Sequence, residues 1–147
     1  MAAEGFTFGF DYEPSADWSR YLKSMDDHRR AVNVPEGWVP ETFLVADVAG
    51  AIVGRTSIRH ELNERLEREG GHIGYCVLPQ YRRRGYATEI LHQSLIIARA
   101  IGIERVLVTC DDRNTGSITI IERCGGRLDS VIRTALPGTV KRRYWID

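Results

Sequence analysis

Gly70-Gly71-His72-Ile73-Gly74-Tyr75-Cys76-Val77-Leu78-Pro79-Gln80-Tyr81-Arg82-Arg83-Arg84-Gly85-Tyr86-Ala87 passes through four kinds of local structure. The apolar run from His72 to Leu78 predicts a buried strand. Pro79 breaks it, because proline donates no ladder hydrogen bond. Arg82-Arg83-Arg84 form a basic loop, and a helix starts at Gly85. A helix N-terminus presents unpaired backbone N–H groups and a partial positive charge. Three arginines, and a glycine that lets a ligand approach the backbone, complete a phosphate cradle.

The helix from Gly85 to Ala100 is the clearest element in the chain. Ala87, Ile90, Leu91, Leu95, Ala98 and Ile101 mark one apolar face, and Gly102 closes it. Arg105 to Cys110 follows as a β-branched strand. The strand–helix–strand unit from 72 to 110 predicts a parallel, right-handed crossover. Upstream, Thr42–Val48 and Ala51–Ile58 form a hairpin around Ala49-Gly50. Glu61–Glu69 reads as a short surface helix or an ordered loop. Ser15 is the expected N-cap of a helix through Trp18, Leu22 and Met25 that fades near Val32. Residues 33–41 are a loop, and residues 4–12 a first strand or an arm. Downstream, Asn114 caps a helix that runs to Arg123 and ends at Gly125-Gly126. Arg127–Thr134 and Thr139–Ile146 are the last strands. The expected architecture is a mixed α/β (α+β) single domain, 1–147, around one central mixed sheet.

At 147 residues the chain is long enough to bury a core, and 43% apolar with 27% charged residues suits a globular protein. The formal net charge of zero speaks against a nucleic-acid partner. Basic clusters at Arg82–Arg84 and Lys141–Arg143 within a neutral whole suit a small anionic ligand. Cys76, Cys110 and Cys124 have no CxxC or metal-type spacing, so reduced thiols and no metal are expected. The start, Met1-Ala2-Ala3-Glu4, lacks the regions of a signal peptide, and no apolar run approaches the ~20 residues of a membrane span. A cytoplasmic protein without a membrane partner is expected.

Arg82-x-x-Gly85-x-Ala87, placed between a strand and a helix, resembles the acyl-CoA-binding motif of the GNAT superfamily of N-acetyltransferases. Val77-x-Pro79 precedes it at the family's usual distance. Asn114-x-x-Ser117 follows the next strand, and Glu122-Arg123-Cys124-Gly125 closes the second helix as in the family. The resemblance covers about Thr42 to Ile146. It is closest to a branch described only as predicted acetyltransferases, through Arg59-His60-x-Leu62-Asn63, Gly70-Gly71-His72-Ile73-Gly74-Tyr75, Gly125-Gly126 and Arg143-Tyr144-Trp145-Ile146. That branch implies a reaction class and not an acceptor.

The resemblance implies a GNAT-like fold with acetyl-CoA as acyl-donor cosubstrate. The implied reaction is direct transfer of the acetyl group to a primary amine of a small molecule or peptide. It assigns the backbone of Cys76, Val77 and Leu78 to the pantetheine chain of coenzyme A. Arg82, Arg83, Arg84, Gly85, Tyr86, Ala87 and Thr88 would hold the pyrophosphate. Asn114 and Ser117 would contact the pantetheine arm; read from the residues alone, Asn114 is an N-cap, and the two roles coexist. GNAT domains often pair, so a homodimer is among the expectations.

Acetyl transfer needs an amine that loses a proton, a polarised thioester carbonyl and a thiolate that leaves. A strand N–H near Val77 is the family's polarising group. His72 is the first candidate base, since an unperturbed imidazole titrates near pH ~6.5; a histidine bonded to a loop backbone is the structural alternative. His60 and Glu61 come second, with Glu41 further out. Arg59, His60 and Asn63 are the candidate acceptor-binding residues. Many GNAT enzymes place a tyrosine four residues after the motif serine, beside the CoA sulfur. Here that position is Ile121. Tyr144 and Tyr75 are the candidate replacements, with core or sheet packing as the alternative. A non-catalytic acyl-CoA-binding or sensing domain is the competing function.

Overall fold

Alternating side chains build Glu41–Val48 (β1) and Ala51–Arg59 (β2) into an antiparallel hairpin, and Ile73–Val77 (β3) adds antiparallel to β2. In the computed structural model Gly9 and residues 12–147 are described. Apart from Gly9 and Tyr12, the expected first strand or arm at 4–12 lies outside them. A second antiparallel sheet holds Val106–Asp111 (β4), Arg127–Arg133 (β5) and Val140–Ile146 (β6), in the order β4-β6-β5. Three α-helices accompany the sheets among the described residues: Trp18–Arg29 (α1), Tyr86–Ala100 (α2) and Thr115–Arg123 (α3). Helix α1 is shorter than the sequence suggests. Its N-cap is Asp17, whose Oδ1 accepts the Ser19 N–H at 2.9 Å, and not Ser15.

The α/β class is as expected, but the pairing inside it differs. No parallel ladder joins β3 to β4 among the described residues. The two sheets meet at one isolated bridge, Gly71 with Val108, of antiparallel type. Gly71 has φ +69°, and a Cβ there would stand 2.6 Å from the Leu107 carbonyl oxygen, so only glycine fits. The His72 N–H donates to Leu107 O at 2.7 Å, and the Leu107 N–H donates back to Nδ1 of the His72 ring at 2.9 Å. A side chain therefore takes the place of the next backbone acceptor, and strand pairing stops there. The outer edge of β3 is left unladdered beyond this point.

Helix α2 packs on one face of the first sheet. Ile58, Ile73, Leu91, Leu95, Val106, Val108, Ile121 and Tyr144 share that core. The register pairs Ser57 with Gly74 and Glu41 with Arg59, one residue away from the core-facing Ile58–Ile73 pair. Glu41, Arg55, Ser57, Arg59, Gly74 and Cys76 thus share the opposite face. Between β2 and β3 the charged segment closes as a π-helical turn at Leu66–Gly70. The Thr109 hydroxyl and the Arg143 Nε donate to the Glu69 and Glu67 carbonyls, at 2.8 and 3.2 Å, which ties this turn to the second sheet.

Candidate active site

The unladdered edge of β3 forms one wall of a cleft of about 850 Å³. Antiparallel pairing decides which backbone groups reach it. The Arg59 N–H donates to His72 O and the Leu78 N–H to Val53 O, both at 2.8 Å. The amides of residues 74, 76 and 78 therefore point at β2, while those of Tyr75 and Val77 point outward. Nε of Arg82 donates to the Val77 carbonyl at 3.3 Å, which marks this outward direction. The backbones of Cys76 and Leu78 are thus committed to β2, contrary to the expectation that they meet pantetheine; the outward groups of this edge are those of Tyr75 and Val77.

The cradle forms where Pro79–Tyr81 makes a single 3-10 turn and two left-handed residues follow, Arg83 at φ +62° and Gly85 at φ +83°. Gly85 is the N-cap of α2, and the Glu89 N–H to Gly85 O bond, 3.2 Å, opens the helix. The amides of Tyr86, Ala87 and Thr88 precede it and have no intrahelical partner. A Cβ on Gly85 would meet nothing within 4 Å, so open space lies over this turn. Cys76, Val77, Arg82, Arg83, Tyr86, Ala87, Asn114 and Ser117 of the expected set line the cleft, joined by Tyr75, Tyr81, Thr115, Gly116, Thr119, Ile120 and Arg123. Leu78, Arg84, Gly85 and Thr88 do not line it. The Arg84 guanidinium instead lies 5.9 Å from the centre of the Tyr81 ring. Across the cleft, Oδ1 of Asn114 accepts the Ser117 N–H at 3.0 Å, so Asn114 caps α3 while facing the cleft.

Two expected catalytic side chains are placed differently. His72 is 7% exposed and its Nδ1 accepts from Leu107, which uses the lone pair a base would need there. Burial, with Arg59 adding to it, pushes the imidazole below its ordinary range. Tyr144 is fully buried in β6, and its hydroxyl donates to Glu122 Oε1 at 3.1 Å. Both side chains hold structure in place.

A prediction follows from the His72 bond. His72→Ala leaves the Leu107 N–H buried and unpaired, at a cost of about 1–3 kcal/mol. His72→Gln can keep an acceptor there and should restore most of that stability. The folded chain disfavours the ring proton, so this contribution is full above about pH 6.5 and is lost as the pH falls toward the folded value. Thermal melts between pH 5 and 8 should show the acid slope shrinking in His72→Gln. The remainder belongs partly to His60, which burial also holds low. An unchanged slope in His72→Gln would disprove the assignment.

A family model for the acetyltransferase (GNAT) domain matches residues 4–127. The chain belongs to this family. Among solved structures, this acetyltransferase superposes on a ribosomal-protein-alanine N-acetyltransferase from Brucella melitensis with a TM-score of 0.68 at 16% identity, covering 99% of this chain and 87% of that one. A putative acetyltransferase from Salmonella typhimurium, solved with its cofactor acetyl-CoA, gives 0.67 at 14% identity, covering 99% and 82%. A spermidine N-acetyltransferase chimera from Vibrio cholerae and hSSAT gives 0.66 at 14%, covering 99% and 86%. No curated protein matches the sequence. At these identities the likeness is one of fold.

Within the acetyltransferase, Ile121 is fully buried in the core, so the family's tyrosine position holds packing and no acid. Tyr75 reaches the cleft from β3. Its hydroxyl is enclosed with no hydrogen-bond partner, and burial pushes it up to about 12 while the neighbouring Ser117 side chain pulls the other way. Ser117 and Ile121 are i and i+4 on α3 and share a helix face, so the Tyr75 hydroxyl lies enclosed beside Ser117, one turn from the usual acid position.

Of the expected acceptor residues, only Arg59 stands on the opposite face of the first sheet. Arg59 lines a second pocket of about 200 Å³ with Trp38, Val39, Glu41, Arg65 and Leu66. His60 lies outside it, with Nε2 2.8 Å from the Thr42 hydroxyl. Asn63 is a brace: its Nδ2 donates to Gly37 O at 3.1 Å and its Oδ1 accepts the Leu66 N–H at 3.0 Å, joining the two sides of the pocket. Glu41, ranked low from the sequence, is the buried carboxylate here.

Proposed function

We propose that this acetyltransferase binds acetyl-CoA in the 850 Å³ cleft and transfers the acetyl group directly to a primary amine. One observation carries the reading. Left-handed Arg83 and the first residues of α2, Tyr86 and Ala87, whose amides have no intrahelical partner, line the same cleft as the outward edge of β3. An anion suits the first, and an extended amide chain suits the second as an added strand. Coenzyme A carries both groups on one molecule. The pyrophosphate would rest on the amides of Tyr86–Thr88, with Arg82 and Arg83 beside it. The pantetheine amides would pair with the outward groups of Tyr75, and Asn114 would reach the arm from α3.

In the reaction the neutral amine nitrogen attacks the thioester carbonyl carbon, its surplus proton passes to solvent water, and the C–S bond breaks with the electron pair left on sulfur. The Val77 N–H, pointing outward, would polarise the carbonyl. A phenol held near 12 stays protonated at working pH, whereas a free thiol titrates near 8.5. Full proton transfer from Tyr75 to the thiolate is therefore uphill. Its role is to donate a hydrogen bond to the developing sulfur charge.

The test is calorimetric titration with acetyl-CoA, followed by continuous assay of free thiol release across a panel of primary amines. Binding in the micromolar range with amine-dependent thiol release is expected. Tight binding without release for any amine would favour a sensing domain, and absence of binding would remove the cleft assignment.

A further inference from the structure

The 200 Å³ pocket has a charge pattern of its own. Glu41 is 5% exposed, and its Oε2 accepts the Ser57 hydroxyl at 2.6 Å. Its Oε1 is buried with no hydrogen-bond partner. A buried carboxylate oxygen without a donor is costly unless something supplies one. Arg59, on the same wall, turns its Nη1 to the Gly70 and Gly71 carbonyls, at 3.3 and 3.1 Å. Arg65 is exposed at the rim and makes no ion pair among the described residues. Trp38, half-exposed, closes one side.

The pocket is joined to the cleft through β3. The Arg59 guanidinium lies 3.5 Å from where a Gly74 Cβ would stand. Cys76, two residues along on the same face, lines the cleft. At about 3.3 Å per residue, roughly 7 Å of strand separates them.

We infer that this pocket is the acceptor site, and that the acceptor is a small primary amine carrying its own anionic group. The inference rests on the acetyl-transfer reading above. The ammonium would donate to Oε1 of Glu41, and the carboxylate or phosphate would meet Arg65 at the rim. One carboxylate against two arginines leaves the wall net positive. A diamine or polyamine would place its second cation against Arg59 and Arg65, where like charges repel. A neutral alkylamine would leave Arg65 unused. The small volume favours a compact molecule.

The experiment is calorimetric titration of the full chain, saturated with CoA so that no turnover occurs. The probes are β-alanine and 2-aminoethyl phosphate against propylamine and 1,3-diaminopropane. The zwitterionic probes should bind at least tenfold tighter than either comparator, and the carboxylate and phosphate arms identify which anion is preferred. Glu41→Gln should weaken the zwitterions at least tenfold, with CoA affinity as the control for folding. Arg65→Glu, on the surface, should invert the preference toward the diamine. A wild-type preference for the diamine or propylamine would overturn the inference, as would unaltered binding in both variants. Loss of CoA binding by the wild-type chain would instead count against the acetyl-transfer reading, while the pocket's own preference is read by the same titrations without CoA.

Discussion

Gly85→Glu should weaken acetyl-CoA binding at least a hundredfold. Two effects add. The glycine sits at φ +83°, where an L-residue costs roughly 1–2 kcal/mol. The new carboxylate would also project into the open space above the turn, where the pyrophosphate is proposed to lie. Two like charges at about 4 Å repel by up to about 4 kcal/mol at an effective dielectric of 20. Gly85→Ala separates the two effects. Its Cβ meets no protein atom within 4 Å, so the strain remains and the charge does not, and a loss of no more than about tenfold is expected. Calorimetry on both variants gives the comparison. Equal affinity of wild type and Gly85→Glu would remove the pyrophosphate from this turn.

Much of this was legible because short-range chemistry dictates it. Gly85, Ala87 and Asn114 are placed by helix termini, and a terminus announces itself through a cap, a glycine and an apolar period. The hairpin at Ala49-Gly50 and the helix from Tyr86 to Ala100 follow from the same local signals. What the sequence hid depends on partners far along the chain. His72 has the residue type and position of a base, and only the Leu107 N–H, 35 positions away, turns it into a substitute backbone acceptor. Strand parity is similar: Leu78 looks equivalent to Val77 until its N–H is seen to pair with Val53. Tyr144 and Tyr75 are two tyrosines in strands, and burial against Glu122 or beside Ser117 is what separates them.

Glu41 shows the same limit from the other side. It opens β1 after a Pro-rich loop, where a glutamate is usually solvated. Its burial follows from the Ser57 hydroxyl below it and the loop that Asn63 clasps over it. Neither relation has a local signature. Arg83 is the remaining case. A non-glycine residue in the left-handed region costs about 1–3 kcal/mol and persists where surrounding structure demands it. Only the backbone angles reveal that the cradle has two left-handed residues, Arg83 as well as Gly85.

Tyr75→Phe should lower turnover about 10- to 150-fold while leaving acetyl-CoA affinity within a few-fold of wild type. That range corresponds to loss of one hydrogen bond to a charged group, about 1.5–3 kcal/mol. The sulfur carries its charge only as the C–S bond breaks, so the loss belongs to kcat rather than to binding. The polar neighbour of the hydroxyl, Ser117, is only half-buried and can turn to solvent when the hydroxyl is removed, so Tm should change little. The pH profile gives an independent check. Because burial holds the phenol near 12, Tyr75 contributes no basic limb to wild-type turnover between pH 7 and 10. Wild type and Tyr75→Phe should therefore have profiles of the same shape at different heights. A mutant with wild-type kcat would return Tyr75 to packing alone. A basic limb that vanishes with the hydroxyl would mean the phenol transfers its proton outright. The substitution Ile121→Tyr cannot rescue the mutant in this geometry, because residue 121 points into the fully enclosed core and not into the cleft.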